Sequence, residues 1–434
     1  MELTSLLKRL QIDDLNNMQK ETLSQFNPEQ DFILLSPTGS GKTLAFSLLI
    51  EQLIQSKKNE VQILLIVPTR ELALQIESVV KTIIKGHKIL CCYGGHDTKI
   101  ERNALKEAPV ILIGTPGRII YHLERSHFST DGIHTLVLDE FDKSLELGFL
   151  DQLEKITTAT HSLERKILTS ATDLDEFPEI LPLHNPIKLD FLADAENKPA
   201  IQFKKTISPA QHKLKTLFNL ICSLGEQKIL IFCNHRDAVD HISELLENRE
   251  LIHDMFHGGL EQRDRELAIL KFRNNSNRIL ITTDLAARGL DIPEIDTIIH
   301  YQLPSKEDAF VHRNGRTARM NNSGEVIIML KPDDNFTYLP EDTEEIILND
   351  HYPLPDNTPY CTLYIPFGKK DKVNKIDIVG YILQIQGLEK DDIGLIEVKD
   401  KESYIAVRRK IAINIIKNGG NGKIKGNKIK FFRT

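Results

Sequence analysis

Ser36-Pro37-Thr38-Gly39-Ser40-Gly41-Lys42-Thr43 stands between the apolar run Phe32-Ile33-Leu34-Leu35 and the segment Leu44-Ala45-Phe46-Ser47-Leu48-Leu49-Ile50, which reads as a helix. Strand, glycine loop, Gly-Lys-Thr and helix, in that order, is the layout of a phosphate-cradling loop. Gly39 and Gly41 let backbone N–H groups turn toward an anion, and the helix N-terminus adds its positive end. Ser36, Thr38 and Ser40 complete the cradle. Lys42 can reach the outer phosphates, and the Thr43 hydroxyl can ligate Mg²⁺. The strict pattern has Gly where Ser36 stands, and the competing reading is an ordinary Gly/Ser connection between a core strand and a helix.

Outward from this loop, short β runs alternate with helical periodicity up to Leu189, which argues for a mostly parallel α/β sheet. Expected strands are 32–35, 63–67, 89–92, 110–113, 135–138 and 166–168. Leu72, Ile76, Val79, Val80 and Ile83 recur at helical spacing and would cover one face. Residues 190–205 lack either periodicity and read as a linker. A second α/β pattern follows, with strands near 229–232, 279–282, 297–299 and 326–330, and without a second glycine phosphate loop. Beyond it, 333–359 is an acidic, Pro-containing linker. The last segment runs β-α-β-β-α-β, the order of a ferredoxin-like, RRM-type α+β domain. The expected domains are 1–192, 206–332 and 360–434.

The 434 residues carry a net charge of −7, but the balance is uneven. Residues 360–434 hold sixteen Lys and Arg against eight Asp and Glu, a net +8 that leaves −15 for the remainder. A basic module on an acidic body suggests separate anion binding. No apolar run approaches the roughly 18 residues of a membrane span. The five cysteines (Cys91, Cys92, Cys222, Cys233, Cys361) form no CxxC pair and suit a reducing compartment, so the cytoplasm is expected. No histidine spacing suggests a structural metal site.

Asp139-Glu140-Phe141-Asp142 follows Thr135-Leu136-Val137-Leu138, so its carboxylates emerge at the end of a strand. Beside a phosphate loop, that is where a group holding Mg²⁺ and orienting a water belongs. Alone, such a cluster is also a common helix cap. Together with Pro68-Thr69-Arg70-Glu71-Leu72-Ala73, Gly94-Gly95, Thr115-Pro116-Gly117-Arg118 and Ser170-Ala171-Thr172, it resembles the DEAD-box RNA helicases. The second half adds Thr283-Asp284-Leu285-Ala286-Ala287-Arg288-Gly289-Leu290-Asp291 and His312-Arg313-Asn314-Gly315-Arg316-Thr317-Ala318-Arg319. These segments occur in the family's order from about Gln19 to Arg319.

The resemblance implies two RecA-like parallel-sheet domains in tandem and an RNA-stimulated ATPase that uses ATP and Mg²⁺. It implies that Gln19 reads the adenine edge, that Lys42 and Thr43 hold phosphates and metal, and that Asp139 binds the metal while Glu140 positions the attacking water. Asp291 would contact the ribose, and Arg316 and Arg319 would serve as arginine fingers. Ser170, Thr172, Asp142 and His312 would couple hydrolysis to domain closure. Thr69, Arg70, Gly95, Thr115 and Arg118 in the first domain, with Gly258, Thr283 and Arg288 in the second, would grip the RNA backbone. Phe141 replaces the family's Ala, and no aromatic precedes Phe26 where the family has one.

The tail, with Leu363-Tyr364-Ile365, Gly368-Lys369-Lys370-Asp371-Lys372, Ser403-Tyr404-Ile405-Ala406-Val407 and Asn421-Gly422-Lys423-Ile424-Lys425, resembles the RNA-binding domain of DbpA-type helicases. That implies structured large-subunit ribosomal RNA as the partner and a role in ribosome assembly. Lys369, Lys370, Lys372, Arg408, Arg409, Lys423 and Lys425 are the expected contacts, with Tyr404 as a stacking ring. A monomer acting on RNA is expected. The alternatives are a weakly hydrolysing RNA clamp or assembly scaffold and a DNA translocase.

Overall fold

The structure, a computed structural model, describes the whole chain except residues 1, 2, 11, 56–59, 174–176, 180, 194–200, 285–294, 318–323, 341, 342 and 386. Arg288, Asp291 and Arg319 therefore lie outside the described residues. The described residues divide into two compact units, the first up to residue 193 and the second from residue 201 onward.

The first unit contains α1 (Leu3–Leu10), α2 (Asn17–Gln25), β1 (Phe32–Leu35), α3 (Lys42–Leu53), β2 (Ile63–Ile66), α4 (Arg70–Ile83), β3 (Ile89–Cys92) and α5 (Thr98–Leu105). It continues with β4 (Ile111–Gly114), α6 (Pro116–Leu123), β5 (Thr135–Leu138), α7 (Phe141–Glu146), α8 (Leu150–Ala159), β6 (Arg165–Ser170) and β7 (Ile187–Asp190). Its sheet is parallel throughout, in the order β3-β4-β2-β5-β6-β1-β7. Both faces are buried. Along β2, Ile63 and Leu65 belong to one hydrophobic core, and Leu64 and Ile66 to the other. That is why the strands read as unbroken apolar runs rather than alternating ones. The phosphate loop leaves β1 at the carboxyl edge of this sheet, the edge at which open α/β sheets place their ligands.

The second unit opens with β8 (Ile201–Ile207), α9 (Lys213–Leu224), β9 (Ile229–Cys233), α10 (Arg236–Asn248), β10 (Asp254–Phe256), α11 (Gln262–Arg273) and β11 (Ile279–Thr283). Then come β12 (Thr297–His300), α12 (Glu307–Asn314), β13 (Gly324–Leu330) and β14 (Glu344–Glu345). The parallel order β10-β11-β9-β12-β13-β8-β14 repeats that of the first sheet position for position.

Two stretches expected as linkers are partly structured. The strand β8 begins inside 190–205, where Lys204 and Lys205 obscure its alternation, and runs on to Ile207; Lys204 is paired with Glu325 of β13 at 2.5 Å. Likewise β14, within 333–359, sets Glu344 and Glu345 opposite Lys204 and Lys205. Opposite charges facing across a strand pair favour that register. Ile346, Leu348 and Tyr352 then pack on the core of this sheet.

Buried in the second sheet, His300 stacks near Phe232 and Phe310 and lies 2.8 Å from Asn314 through Nε2. Burial and the Arg313 charge push its pKa from 6.5 down to about 3. The native state thus binds a proton less readily than the unfolded chain. Its contribution is complete above pH 6.5 and is lost as pH falls from there toward 3, at up to about 1.4 kcal/mol per pH unit. A His300→Asn chain is expected to show a flatter acid limb in urea melts between pH 6.5 and 4.5.

The C-terminal part comprises β15 (Tyr360–Ile365), α13 (Lys375–Ile382), β16 (Ile393–Val398), β17 (Ser403–Arg408), α14 (Arg409–Asn418), the hairpin β18 (Lys423–Ile424) and β19 (Asn427–Lys428), and β20 (Phe432–Arg433). The antiparallel order β16-β17-β15-β20 is the expected ferredoxin-like sheet. Its core is formed by Leu363, Ile378, Ile382, Ile405, Val407 and Ile415 with their neighbours.

Candidate functional site

The loop after β1 is built from inside and outside at once. Ser36 N–H donates to the Ser170 carbonyl at 3.1 Å, which ties the start of the loop to the end of β6. Gly39 and Gly41 have φ of +86° and +91°, left-handed conformations natural only to glycine. Helix α3 starts at Lys42 without a side-chain cap, so its first N–H groups face the loop. The Lys42 ammonium folds over the loop, donating to the Ser36 carbonyl and, at 3.0 Å, to that of Pro37.

From outside, α2 holds the same loop. Asn16 and Gln19 form a capping box. Gln19 then donates through Nε2 to the Gly41 carbonyl at 3.3 Å, and Asn16 donates to the Ser40 carbonyl at 2.8 Å. Asn16 is a loop-holding residue that the sequence reading missed; an Asn three residues before a Gln at a helix start is the signal that marks it.

At the end of β5, Asp139 is buried. It accepts from the Glu140 N–H at 3.0 Å and from the Thr169 hydroxyl. Burial and the Glu140 charge push its pKa up to about 6 against the opposing pull of Thr169 and Lys42, so the phosphate-loop lysine acts on this carboxylate. Thr169 is a second missed residue, one position before the motif that drew attention. Glu140 adopts φ +49° and ψ +51°, a left-handed conformation unusual for a non-glycine residue. Such strain persists where surrounding structure over-determines it and clusters at functional sites. Among the described residues, Glu140 Oε2, Ser36 Oγ and Ser40 Oγ are buried without a hydrogen-bond partner. Further along, Asp142 accepts from the Thr172 hydroxyl at 3.2 Å, and Thr172 N–H donates to Ser170 Oγ at 3.1 Å. The acidic loop and the Ser170–Thr172 loop are thereby linked.

Phe141 is only 1% exposed. It lies nearly parallel to Phe177, with an 8° interplanar angle and centroids 6.3 Å apart, in a core that includes Leu138, Leu153 and Leu181. The larger ring is therefore taken up by a dedicated partner, and the acidic pair keeps its place at the strand end. Restoring the smaller residue is expected to harm this chain. Phe141→Ala leaves a cavity and should cost about 3–5 kcal/mol of first-domain stability in denaturant melts.

The expected RNA-backbone residues of the first domain gather at the ends of β2, β3 and β4. Thr69 caps α4 by accepting from Leu72 N–H at 3.3 Å, which makes Arg70 the first helical residue. The Arg70 guanidinium lies against Gly94 and Gly95; a Cβ at Gly95, where φ is +89°, would come within 2.7 Å of it. Thr115 precedes α6 and Arg118 lies in its first turn.

The repeated topology exposes a residue that the sequence reading missed. Arg236 opens α10 after β9 as Arg70 opens α4 after β2, and its guanidinium approaches Gly258 and Gly259 after β10. Asn234-His235-Arg236 after a buried strand is the corresponding signal. Thr283 closes β11 and is buried. His312 and Arg316 are also buried, at the end of α12 and just beyond it. Arg313 is a structural hub, bound to Asp284 Oδ2 at 2.7 Å, Asn234 at 2.8 Å and the Gln302 carbonyl at 2.6 Å.

In the C-terminal domain the lysines and the aromatic residue part company. Lys369, Lys370, Lys372, Lys423 and Lys425 are exposed. Tyr404 is 1% exposed, with its hydroxyl donating to Glu402 at 3.0 Å and the Lys399 ammonium 5.5 Å from its ring. This differs from the expected stacking surface. The reason lies in α11: Arg263 reaches over Tyr364 at 5.4 Å and pairs with Glu402 at 3.0 Å, while Glu266 binds Lys399. Arg409 is likewise turned inward, to the carbonyls of Thr358 and Tyr360 at 2.8 Å. Arg408 lies 5.1 Å from the Tyr360 ring.

Residues 16–177 match the DEAD/DEAH box helicase family, 212–321 the helicase conserved C-terminal domain and 362–432 the DbpA RNA binding domain. The ATP-dependent RNA helicase DbpA of Escherichia coli is 33% identical over 412 residues, covering 92% of this chain and 89% of that protein. The protein of the same name from Bacillus subtilis is 29% identical over 460 residues, covering 98% and 95%. Among solved structures, Mss116p bound to ssRNA and AMP-PNP aligns with a TM-score of 0.69 at 27% identity, over 80% of this chain and 77% of the other. Dbp5 of S. cerevisiae bound to RNA and ADP BeF3 has a TM-score of 0.70 at 24% identity, over 80% and 93%, and supports the fold. With two RecA-like sheets, a phosphate loop tied to the strand that holds buried Asp139, and a small antiparallel domain, the chain belongs to the DEAD-box ATP-dependent RNA helicases of the DbpA type, RNA-stimulated ATPases.

Proposed function

We propose that this helicase remodels structured RNA of the large ribosomal subunit during its assembly, as a monomer in the cytoplasm, hydrolysing ATP with Mg²⁺. The observation that carries this reading is the C-terminal domain. It is similar to the DbpA RNA binding domain, and it places net +8 and exposed Lys369, Lys370, Lys372, Lys423 and Lys425 on an otherwise acidic chain. A cationic surface on a folded module suits backbone and shape recognition of folded RNA. The domains are taken as 1–192, 206–332 and 360–434, with β8 and β14 carrying the second sheet beyond the middle limits on both sides.

At the nucleotide site, Gly39, Ser40, Gly41, Lys42 and Thr43 hold phosphates, with Ser36 and Thr38 lining the loop and Gln19 selecting the base. The donors fit Mg²⁺: Thr43 offers a hydroxyl, Asp139 a carboxylate, and Glu140 Oε2 is a buried acceptor without a hydrogen-bond partner among the described residues. When bound, the ion would screen phosphate charge. Glu140 orients the attacking water and accepts its proton. Asp291 serves the ribose, and Arg316 and Arg319 stabilise charge developing on the phosphates. Ser170, Thr172, Asp142 and His312 transmit the state of the site. Thr69, Arg70, Gly95, Thr115, Arg118, Gly258, Thr283 and Arg288 hold the RNA backbone, joined by Arg236. The exposed tail lysines supply the address, whereas Tyr404 is engaged internally.

The test is ATP turnover by the full chain with large-subunit ribosomal RNA, small-subunit ribosomal RNA or an unstructured oligonucleotide. Large-subunit RNA is expected to stimulate at concentrations at least about tenfold lower than the others, a preference of about 1.4 kcal/mol. Equal stimulation by all three would remove the ribosomal assignment.

A further inference from the structure

Helix α5 carries a carboxylate that the ATPase mechanism does not use. Glu101 is 0% exposed and sits between two of the segments assigned to the RNA backbone. Its Oε1 accepts from the Tyr93 N–H at 3.1 Å and lies 3.1 Å from His96 Nδ1, so it holds both ends of the Gly94-Gly95 turn. Its Oε2 lies 2.7 Å from Arg118 Nε and 2.8 Å from His122 Nε2. Arg118 also donates to the His96 carbonyl, and His122 Nδ1 lies 2.8 Å from His127 Nδ1. With Cys92 nearby, Glu101 and His122 have the composition of a metal site. Both carboxylate oxygens are nevertheless committed to protein partners, one of them a guanidinium.

We infer that Glu101 is a positioning residue for RNA binding: it locks the Arg118 guanidinium and the Gly94-Gly95 turn into one fixed arrangement on which a strand's phosphates are held. The physical reason is reach and entropy. An arginine side chain loses up to about 2 kcal/mol of rotamer freedom when it is immobilised. A buried carboxylate ion-paired at the Nε edge, with Nη2 already on the His96 carbonyl, removes that cost before RNA arrives and leaves Nη1 directed by the planar fork. This inference rests on the reading that Arg118 contacts RNA phosphate.

The experiment measures RNA affinity of the full chain as a function of KCl, between about 50 and 200 mM, using a single-stranded oligo(U) probe. Each phosphate neutralised on a single strand contributes about 0.7 to the slope of log affinity against log salt. Glu101→Gln is expected to weaken binding about tenfold and to lower the slope by about 0.7. Arg118→Gln should lower it equally, and the double variant should go no further. A merely structural role for Glu101 would not move the slope, and removing its negative charge without misplacing Arg118 would leave the slope unchanged. That result, with Arg118→Gln still lowering the slope, overturns the inference while the RNA role of Arg118 stands. If Arg118→Gln itself leaves the slope unchanged, the underlying reading falls and this inference with it. Should Glu101→Gln melt early, Glu101→Asp carries the same expectation, because it retains the charge while withdrawing the carboxylate from Arg118.

Discussion

Glu140→Gln is expected to lower RNA-stimulated ATP hydrolysis by about 10³-fold while nucleotide binding survives. General-base catalysis by a positioned side chain is typically worth about 10²–10⁴ in rate, and Gln keeps the shape but cannot accept the proton. The position is unusually constrained in this chain. Glu140 is held in a left-handed backbone conformation at the end of β5, its N–H is bound by Asp139, and its Oε2 is buried without a hydrogen-bond partner among the described residues. The backbone is therefore set by neighbours rather than by the carboxylate, so the substitution should change chemistry and leave the fold alone. The check is steady-state turnover at saturating RNA together with binding of a non-hydrolysable ATP analogue. A loss smaller than tenfold would place the base elsewhere.

The second large effect is expected at Gly41. Its φ of +91° lies where an L-residue pays about 1–2 kcal/mol, and a Cβ there would come within 2.4 Å of Gln19 Nε2. Gly41→Ala must therefore either strain the loop or push α2 away, and both outcomes disperse the N–H groups that converge on phosphate. Nucleotide affinity should fall at least about tenfold, read by calorimetric titration. Adding Gln19→Ala should recover the portion due to overlap and leave the portion due to backbone strain. Unchanged affinity in Gly41→Ala would mean that the cradle does not depend on this conformation.

Much of the nucleotide site was legible because it is local. A phosphate loop is one strand, one turn and one helix start, and each demands particular residues at particular offsets. The acidic cluster at the end of β5 obeys the same logic. The parallel sheets were legible because burial on both faces leaves only apolar runs. Legibility ended where charge pairing replaced hydrophobic pattern. Strand β8 was hidden by Lys204 and Lys205, the first of which pairs with Glu325, and β14 joins it in a register that places Glu344 and Glu345 opposite those lysines, between segments about 140 residues apart. The roles of Asn16, Thr169 and Arg236 rest on partners distant in sequence, so the local signals at Asn16 and Arg236 could mark the residues but not their contacts.

By itself the amino-acid sequence determined which groups this protein has for handling phosphate, the parallel and antiparallel character of its sheets, and the family to which it belongs. Tertiary structure alone decided how Phe141 is accommodated, because only packing brings Phe177 beside it. It alone decided that Tyr404 is covered by the surroundings of α11 while the tail lysines stay in solvent. It also decided that Glu101, an unremarkable residue in a polar helix, is buried between the Gly94-Gly95 turn and Arg118. The common physical reason is that residue type and spacing govern what a segment can form, whereas burial and charge pairing are properties of distant segments brought together, and no local pattern encodes them.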